Sequence, residues 1–233
     1  MTEEREFRTP HGKSMRLLCR EGTNDQMMAY SCLDEDEYRM RDIPAGTLKR
    51  AADIGSHIGM VAIGLALDHP NCKVTAVEPI PANLALLEEN VRRNGVEDRV
   101  TVIWGAASKT ASSVDIAWAF HGNDAADMHR FVGNQPMAAG TKQEVVTVPG
   151  ITLAAIVGDL PLDLLVTDCE GGEYDLLGGT AKYAKDARAR VREIRGEYHG
   201  GYDKLEKLLA ATHDVEPLGG SSSFGGFVAK AKA

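Results

Sequence analysis

The stretch Ala51-Ala52-Asp53-Ile54-Gly55-Ser56-His57-Ile58-Gly59 decides the fold of this chain of 233 residues. A strand-like run from Leu48 ends in an acidic residue, and a turn with two glycines follows. An apolar helix then opens near Ile58 and runs to about His69, where Pro70 stops it. Gly55 and Gly59 let a backbone pass close to a ligand with no Cβ in the way. The spacing is not G-x-G-x-x-G, and a carboxylate at the head of such a turn opposes a pyrophosphate, which seeks the positive end of a helix. Asp53 therefore suits a ligand that carries positive charge, such as an amino-acid ammonium beside a sulfonium. The plainer alternative is an aspartate that caps the helix.

The next strand-like run, Lys73-Val74-Thr75-Ala76-Val77-Glu78, also ends in a carboxylate, followed by Pro79. Glu78 stands close to the offset of roughly 20 residues at which doubly wound folds place an acidic residue on a ribose. Alone, such a residue is usually solvated; beside Asp53 it makes the second of two carboxylates at successive strand ends. Pro81 opens a helix with Leu84, Leu87 and Val91 on one face, and Asn94-Gly95 ends it.

Further strand-like runs cover Arg99–Trp104, Leu162–Asp168 and Arg190–Glu197, with helices expected from about Gly172 to Leu177 and from Tyr202 to Ala210. The tail alternates at Asp214–Pro217 and Phe224–Ala229 around Gly-Gly-Ser-Ser-Ser, so the final strand is expected to be a hairpin partner. This alternation predicts a doubly wound, mostly parallel sheet covered by helices on both faces. Residues 1–47 form an extension, with a strand pair around Pro10-His11-Gly12 and a short helix near Asn24–Tyr30. The main domain spans 48–233 and carries an insertion at about 108–150. A segment that long inside a domain is commonly a functional lid. His121 and His129, with Trp118, Phe120, Asp124 and Asp127, suit a lid that contacts an acceptor, or an ordinary surface subdomain.

Two more clusters carry chemistry. Asp168-Cys169-Glu170-Gly171-Gly172-Glu173 delivers three carboxylates into a glycine-softened turn after an apolar strand. Crowded like charges raise at least one pKa, as a general base requires, although Glu173 also favours a helix N-terminus. Glu197 and His199 alternate at the end of the next strand and can face one side of the cleft, with His199 a candidate base of ordinary pKa near ~6.5. Asp168, Glu170, Glu197 and His199 include hard oxygen donors and an imidazole, but no spacing here is diagnostic of a metal, and none is expected.

Composition narrows the partners. With 26 Lys and Arg against 34 Asp and Glu the formal charge is −8, a poor match to nucleic-acid phosphates. Four cysteines, Cys19, Cys32, Cys72 and Cys169, show no C-x-x-C pair. No run approaches the ~20 apolar residues of a membrane helix, and the acidic start resembles no secretory signal, so a cytoplasmic protein with reduced thiols is expected.

Ala52–Gly59, Val77-Glu78-Pro79-Ile80-Pro81 with Leu87 and Asn90-Val91, and Asp168–Glu173 with Leu176-Leu177, in this order, resemble the FkbM family of S-adenosylmethionine-dependent methyltransferases. Thr152-Leu153 and Glu197-Tyr198-His199 fall where that family has similar residues. The likeness covers roughly 50–200, and departs from the family at Ser56-His57, where Ala-Asn is usual, and at Cys169, where an aliphatic is usual. It implies a class I methyltransferase (Rossmann-like) sheet of seven strands whose last strand is antiparallel. By that analogy Asp53, Gly55, Ser56, His57 and Gly59 hold the methionine part of S-adenosylmethionine, with Asp168 at its reactive end. Glu78 and Pro79 meet the ribose, and Gly105 and Ala106 surround the adenine.

The expected reaction is O-methylation of a hydroxyl on a sugar or small natural product, with a base among Asp168, Glu170 and His199 and with Glu197 beside them. N-methylation of a peptide or small amine is the rival, and a cofactor-binding scaffold without catalysis is the alternative outside enzymes. A nicotinamide-dependent oxidoreductase would need a phosphate-binding glycine triplet that the turn lacks. Neither oligomeric state nor acceptor identity follows from these residues.

Overall fold

The structure is a computed structural model that describes residues 1–121, 124–131, 142–179 and 181–233, with side chains described outside 118–143. Strands β1 (Thr2–Arg8) and β2 (Ser14–Arg20) make an antiparallel hairpin, and helix α1 (Asp25–Leu33) follows. The main sheet begins with β3 (Arg50–Ile54), α2 (Met60–Asp68), β4 (Lys73–Glu78), α3 (Pro81–Arg93) and β5 (Val100–Trp104). Next come β6 (Ala106–Ala107), β7 (Ser113–His121), β8 (Asp124–Phe131) and β9 (Lys142–Ile151). The chain continues through α4 (Leu153–Val157), β10 (Leu162–Thr167), α5 (Glu173–Leu177), α6 (Lys182–Ala189), β11 (Val191–His199) and α7 (Tyr202–Leu209), and closes with β12 (His213–Pro217) and β13 (Phe224–Ala231).

Seven strands form one sheet in the order β12-β13-β11-β10-β3-β4-β5. β10, β3, β4, β5 and β11 run parallel, while β13 is antiparallel to both β11 and β12. The expected hairpin at the end of the chain is present, with β13 wedged between β11 and β12. From β3 the chain winds outward to β5 and then returns to lay β10 on the other side of β3. This reversal opens a crevice at the carboxyl ends of β3 and β10, where open α/β sheets bind ligands.

Alternation along the strands sorts the core into two faces. Ala51, Leu164 and Val166 pack with Ile58, Ile63 and Leu87 on one side. Ala52, Ile54 and Leu165 pack with Leu176, Leu177, Ile194 and Leu205 on the other. Each of these aliphatic side chains contributes about 1.5–3 kcal/mol by leaving water. The N-terminal residues belong to the first face: Met15, Leu17, Leu33, Tyr38 and Ile43 share its core. On α3, Leu87 and Val91 are buried as the helical period predicts, whereas the remaining buried positions are the polar Asn83 and Asn90. Asn90 explains itself, because its side chain accepts from Leu18 N–H at 2.7 Å and donates to Ile58 O at 2.9 Å, clamping the hairpin to the glycine turn.

The insertion is sheet rather than an irregular loop among its described residues. β7 pairs with both β8 and β9 antiparallel, and β6 joins β9. Gly105 thus leads into a two-residue strand formed by Ala106 and Ala107. The expectations for His121, His129, Trp118, Phe120, Asp124 and Asp127 lie outside the described side chains. No helix is long and apolar enough to cross a membrane among the described residues.

Candidate active site

The turn after β3 is stapled to its neighbours. Gly55 and Ser56 donate their amides to Val77 O at 2.9 and 3.1 Å, and Asp168 N donates to Ile54 O at 3.0 Å. At Gly55 φ is +88°, and a Cβ there would lie 1.9 Å from Asp168 O, so no larger residue fits where β3 and β10 touch. Gly59 sits at φ +98°, with an added Cβ 2.6 Å from Leu87 Cδ1, so a glycine here also lets α2 pack against α3.

Glu78 is buried and its carboxylate is well supplied with donors. One oxygen accepts the His57 N–H at 2.9 Å; the other accepts Ile80 N–H at 2.9 Å and Asn83 Nδ2 at 3.2 Å. Burial raises its pKa, and these donors pull it back. Asp53 is the opposite case. It is 3% exposed, and Oδ2 has no hydrogen-bond partner. Burial pushes it up to about 7, against the Ser56 hydroxyl and the Ala62 amide. The N-cap of α2 is Gly59, which has no side chain to cap with, and the Asp53 carboxylate takes the Ala62 amide of the first turn while its Oδ2 keeps no donor. A buried carboxylate oxygen without a donor is costly, and a cationic ligand would supply the missing partner.

A crevice opens beside these residues. Gly55, Glu78, Pro79, Gly105, Ala106, Asp168 and Glu170 line it, with Ile54, Val77 and Ile116 as its apolar wall. A second cavity of about 320 Å³ adjoins it and is lined by Asp53, Ser56, His57 and Tyr38. Gly55 and Asp168 line both.

At the other end, His199 is ringed by carboxylates. Nδ1 lies 3.2 Å from Oε1 of the buried Glu173, and Nε2 lies 3.4 Å from Glu197, 3.6 Å from Glu170 and 4.0 Å from Asp168. Burial disfavours the imidazolium, but the hydrogen bonds to Glu173 and Glu197 outweigh it and push the pKa up to about 11. The expectation of an ordinary histidine near ~6.5 is therefore corrected: His199 is a cation at neutral pH, and a poor base. Asp168 shifts upward as well, which for a carboxyl disfavours the charge. Burial first, then the nearby Glu197, push it up to about 8. Glu173 also accepts from Cys169 N–H at 2.9 Å and Gly171 N–H at 3.0 Å, fixing the turn in which Glu170 sits at φ +53°. Glu197 and His199 do come together, as their alternation predicts, but neither lines the two cavities. Ligand atoms of Asp168, Glu173 and His199 lie within 4.8 Å of one another, close enough to share a cation, although the imidazolium already holds that centre of charge.

Three contributions escape the sequence reading because they come from the N-terminal extension. Tyr38 donates its hydroxyl to Asp168 Oδ2 at 2.8 Å. Glu37 is pushed up to about 8 by burial and by a hydrogen bond shared with Glu197. Asp25 bridges Arg20 and His57, at 2.7 Å from Arg20 Nη2 and 3.3 Å from His57 Nε2, and holds the turn from behind. No local sequence pattern names a partner 130 positions away.

The strand order, the acidic strand ends and the crevice between them are those of a methyltransferase, and residues 53–217 match the methyltransferase FkbM domain. The chain belongs to the FkbM methyltransferase family. It is an S-adenosylmethionine-dependent methyltransferase with a class I Rossmann-like fold. Solved structures agree on the fold. A structure of M. capricolum TrmK with S-adenosyl-homocysteine superposes with a TM-score of 0.50 at 10% identity, covering 84% of this chain and 68% of that one. An uncharacterized protein from Listeria monocytogenes serotype 4b gives 0.52 at 13% identity, covering 86% and 68%. Among curated protein sequences none matches this methyltransferase.

Proposed function

We propose that this methyltransferase transfers the methyl group to a hydroxyl of a small molecule, such as a sugar or natural product, with Asp168 as the base. The observation that carries this reading is the position of Asp168 on both cavities, between the Asp53 side and the open crevice. The residues present fit S-adenosylmethionine. The unpartnered Oδ2 of Asp53 suits its ammonium, and Glu78 has its carboxylate oriented by three N–H donors toward a ribose at the crevice wall. Pro79, Gly105 and Ala106 offer a small-residue surface to the adenine. When bound, the cofactor supplies an electrophilic sulfonium methyl.

The protein's own part is alignment and proton handling. Holding an acceptor oxygen within ~3–3.5 Å of the reacting carbon supplies most of such a rate. Asp168, held near neutrality by burial and Glu197, accepts the hydroxyl proton; His199 stays charged and keeps the surrounding carboxylates in place. Four free cysteines support the expected reducing, cytoplasmic setting.

A second reading has its own support. Glu170, Glu173 and Glu197 surround a single imidazolium with Asp168 beside it, and this excess of acidic groups favours a cationic amine as acceptor. Incubation with labelled S-adenosylmethionine and panels of sugars, phenols, amines and peptides distinguishes these, with product read by mass spectrometry. O-methyl products support the first reading and N-methyl products replace it. Cofactor binding with no S-adenosylhomocysteine formed from any panel would leave a non-catalytic scaffold.

A further inference from the structure

The matched family domain begins at residue 53, yet a buried phenol from outside it reaches the middle of the site. We propose that Tyr38, delivered by the N-terminal extension, is a positioning residue that holds Asp168 in its working orientation through the bond from its hydroxyl to Oδ2. This inference rests on the cofactor and base roles given to Asp168 above.

The geometry supports it from three sides. Tyr38 is 2% exposed and lines the smaller cavity together with Asp53, Gly55 and Asp168, so its hydroxyl reaches the methionine end of the site. Its backbone is fixed by the sheet itself: Arg195, 2% exposed on β11, donates to Tyr38 O at 3.0 Å and also to Arg39 O. Its approach is set by a local brace, in which the Asp36 carboxylate accepts Met40 N–H at 2.6 Å and Arg41 N–H at 3.1 Å. A tyrosine held at both backbone and ring costs little further ordering when it donates its hydrogen bond.

Tyr38 is also the neutral donor in a crowd of acids. The side chains around Asp168 are Glu197 and His199 from β11, Glu170 from its own turn and Glu37 from the extension. On the Asp168 side only His199 and Tyr38 offer it a proton among the described contacts, and His199 Nε2 stands 4.0 Å away, too far for a direct hydrogen bond. Without the phenol, Oδ2 would be buried with repulsive neighbours and no direct donor. The carboxylate would then turn away from the cavity toward His199.

The test is a double-mutant cycle on binding of S-adenosylmethionine, measured by calorimetry for wild type, Tyr38→Phe, Asp168→Asn and the double variant, with thermal melts to confirm folding. Tyr38→Phe should weaken binding by on the order of tenfold, the scale of one lost hydrogen bond to a charged group. In the Asp168→Asn background the same change should cost less than about twofold, because the contact it serves is already altered. Equal losses in both backgrounds would make Tyr38 a general structural support, and no loss in either would remove the role altogether; both overturn the proposal. Wild-type protein that binds no S-adenosylmethionine would instead overturn the cofactor assignment. If Tyr38→Phe melts early, Tyr38→Trp and Tyr38→His supply the cycle with a ring of different donor reach.

Discussion

The imidazole Nδ1 of His199 lies 3.2 Å from Oε1 of Glu173, a carboxylate with no exposed surface, and this pairing sets the charge of the carboxylate cluster around the ring. With the histidine pKa at about 11, folding raises it above its unfolded value of 6.5. Its contribution to stability is therefore complete below pH 6.5 and is lost as pH climbs toward 11. Ring carbon and nitrogen shifts in NMR should report a doubly protonated His199 at pH 8. Glu173→Gln should bring its titration down by well over one pH unit and cost about 3 kcal/mol in denaturant unfolding, the scale for breaking a buried ion pair. A neutral imidazole at pH 8 would contradict the arrangement.

Asp53 keeps a buried carboxylate oxygen without a donor, which the proposed cofactor ammonium would supply. Asp53→Asn should reduce affinity for S-adenosylmethionine about 100-fold, as truncation of one side of a buried charge pair does. The same variant should melt no lower than wild type without ligand, because it removes a buried carboxyl oxygen that has no donor. Calorimetry and thermal melts check the two halves separately.

Asp53 at about 7, and Asp168 and Glu37 at about 8, make binding pH-dependent. Their folded pKa values lie above the unfolded ones, so the folded state holds protons that the unfolded state has released. Stability of the ligand-free protein should thus fall as pH rises from about 4 to 8. A cationic ligand favours the ionised forms, so affinity for S-adenosylmethionine should rise over pH 6 to 8. Titrations at a series of pH values, in buffers matched for ionic strength, read both trends; affinity that falls over this interval would remove the assignment of these carboxyls.

Gly55→Ala places a methyl group 1.9 Å from Asp168 O at φ +88°, against backbone that cannot yield without moving β10. The expected result is a loss of at least about 2 kcal/mol of stability together with cofactor binding. Gly12→Ala, at φ +80° with nothing within 4 Å, is the control for backbone strain alone and should cost about 1 kcal/mol while leaving affinity unchanged.

Much of the site is legible from local pattern. Asp53, Gly55, Glu78, Pro79, Gly105, Ala106, Asp168 and Glu170 line one cavity or the other, and each stands at a strand end that period-two runs and turn residues mark. Gly59 carries the same signal and lies against Leu87 in the folded chain: glycine is needed both where a ligand approaches and where a side chain packs, and spacing does not separate the two.

What the chain determines by itself is therefore its alternation of strand and helix, the sharp turn at Gly55 and the acidic residues at the ends of β3, β4 and β10, because these depend on neighbours a few positions apart. Only the folded molecule decides that Tyr38 meets Asp168, that Asn90 ties the hairpin to the glycine turn, and that His199 is a cation. Those outcomes are sums of Coulomb and desolvation terms over groups brought close from distant parts of the chain, in a medium of low polarisability. No local window contains them.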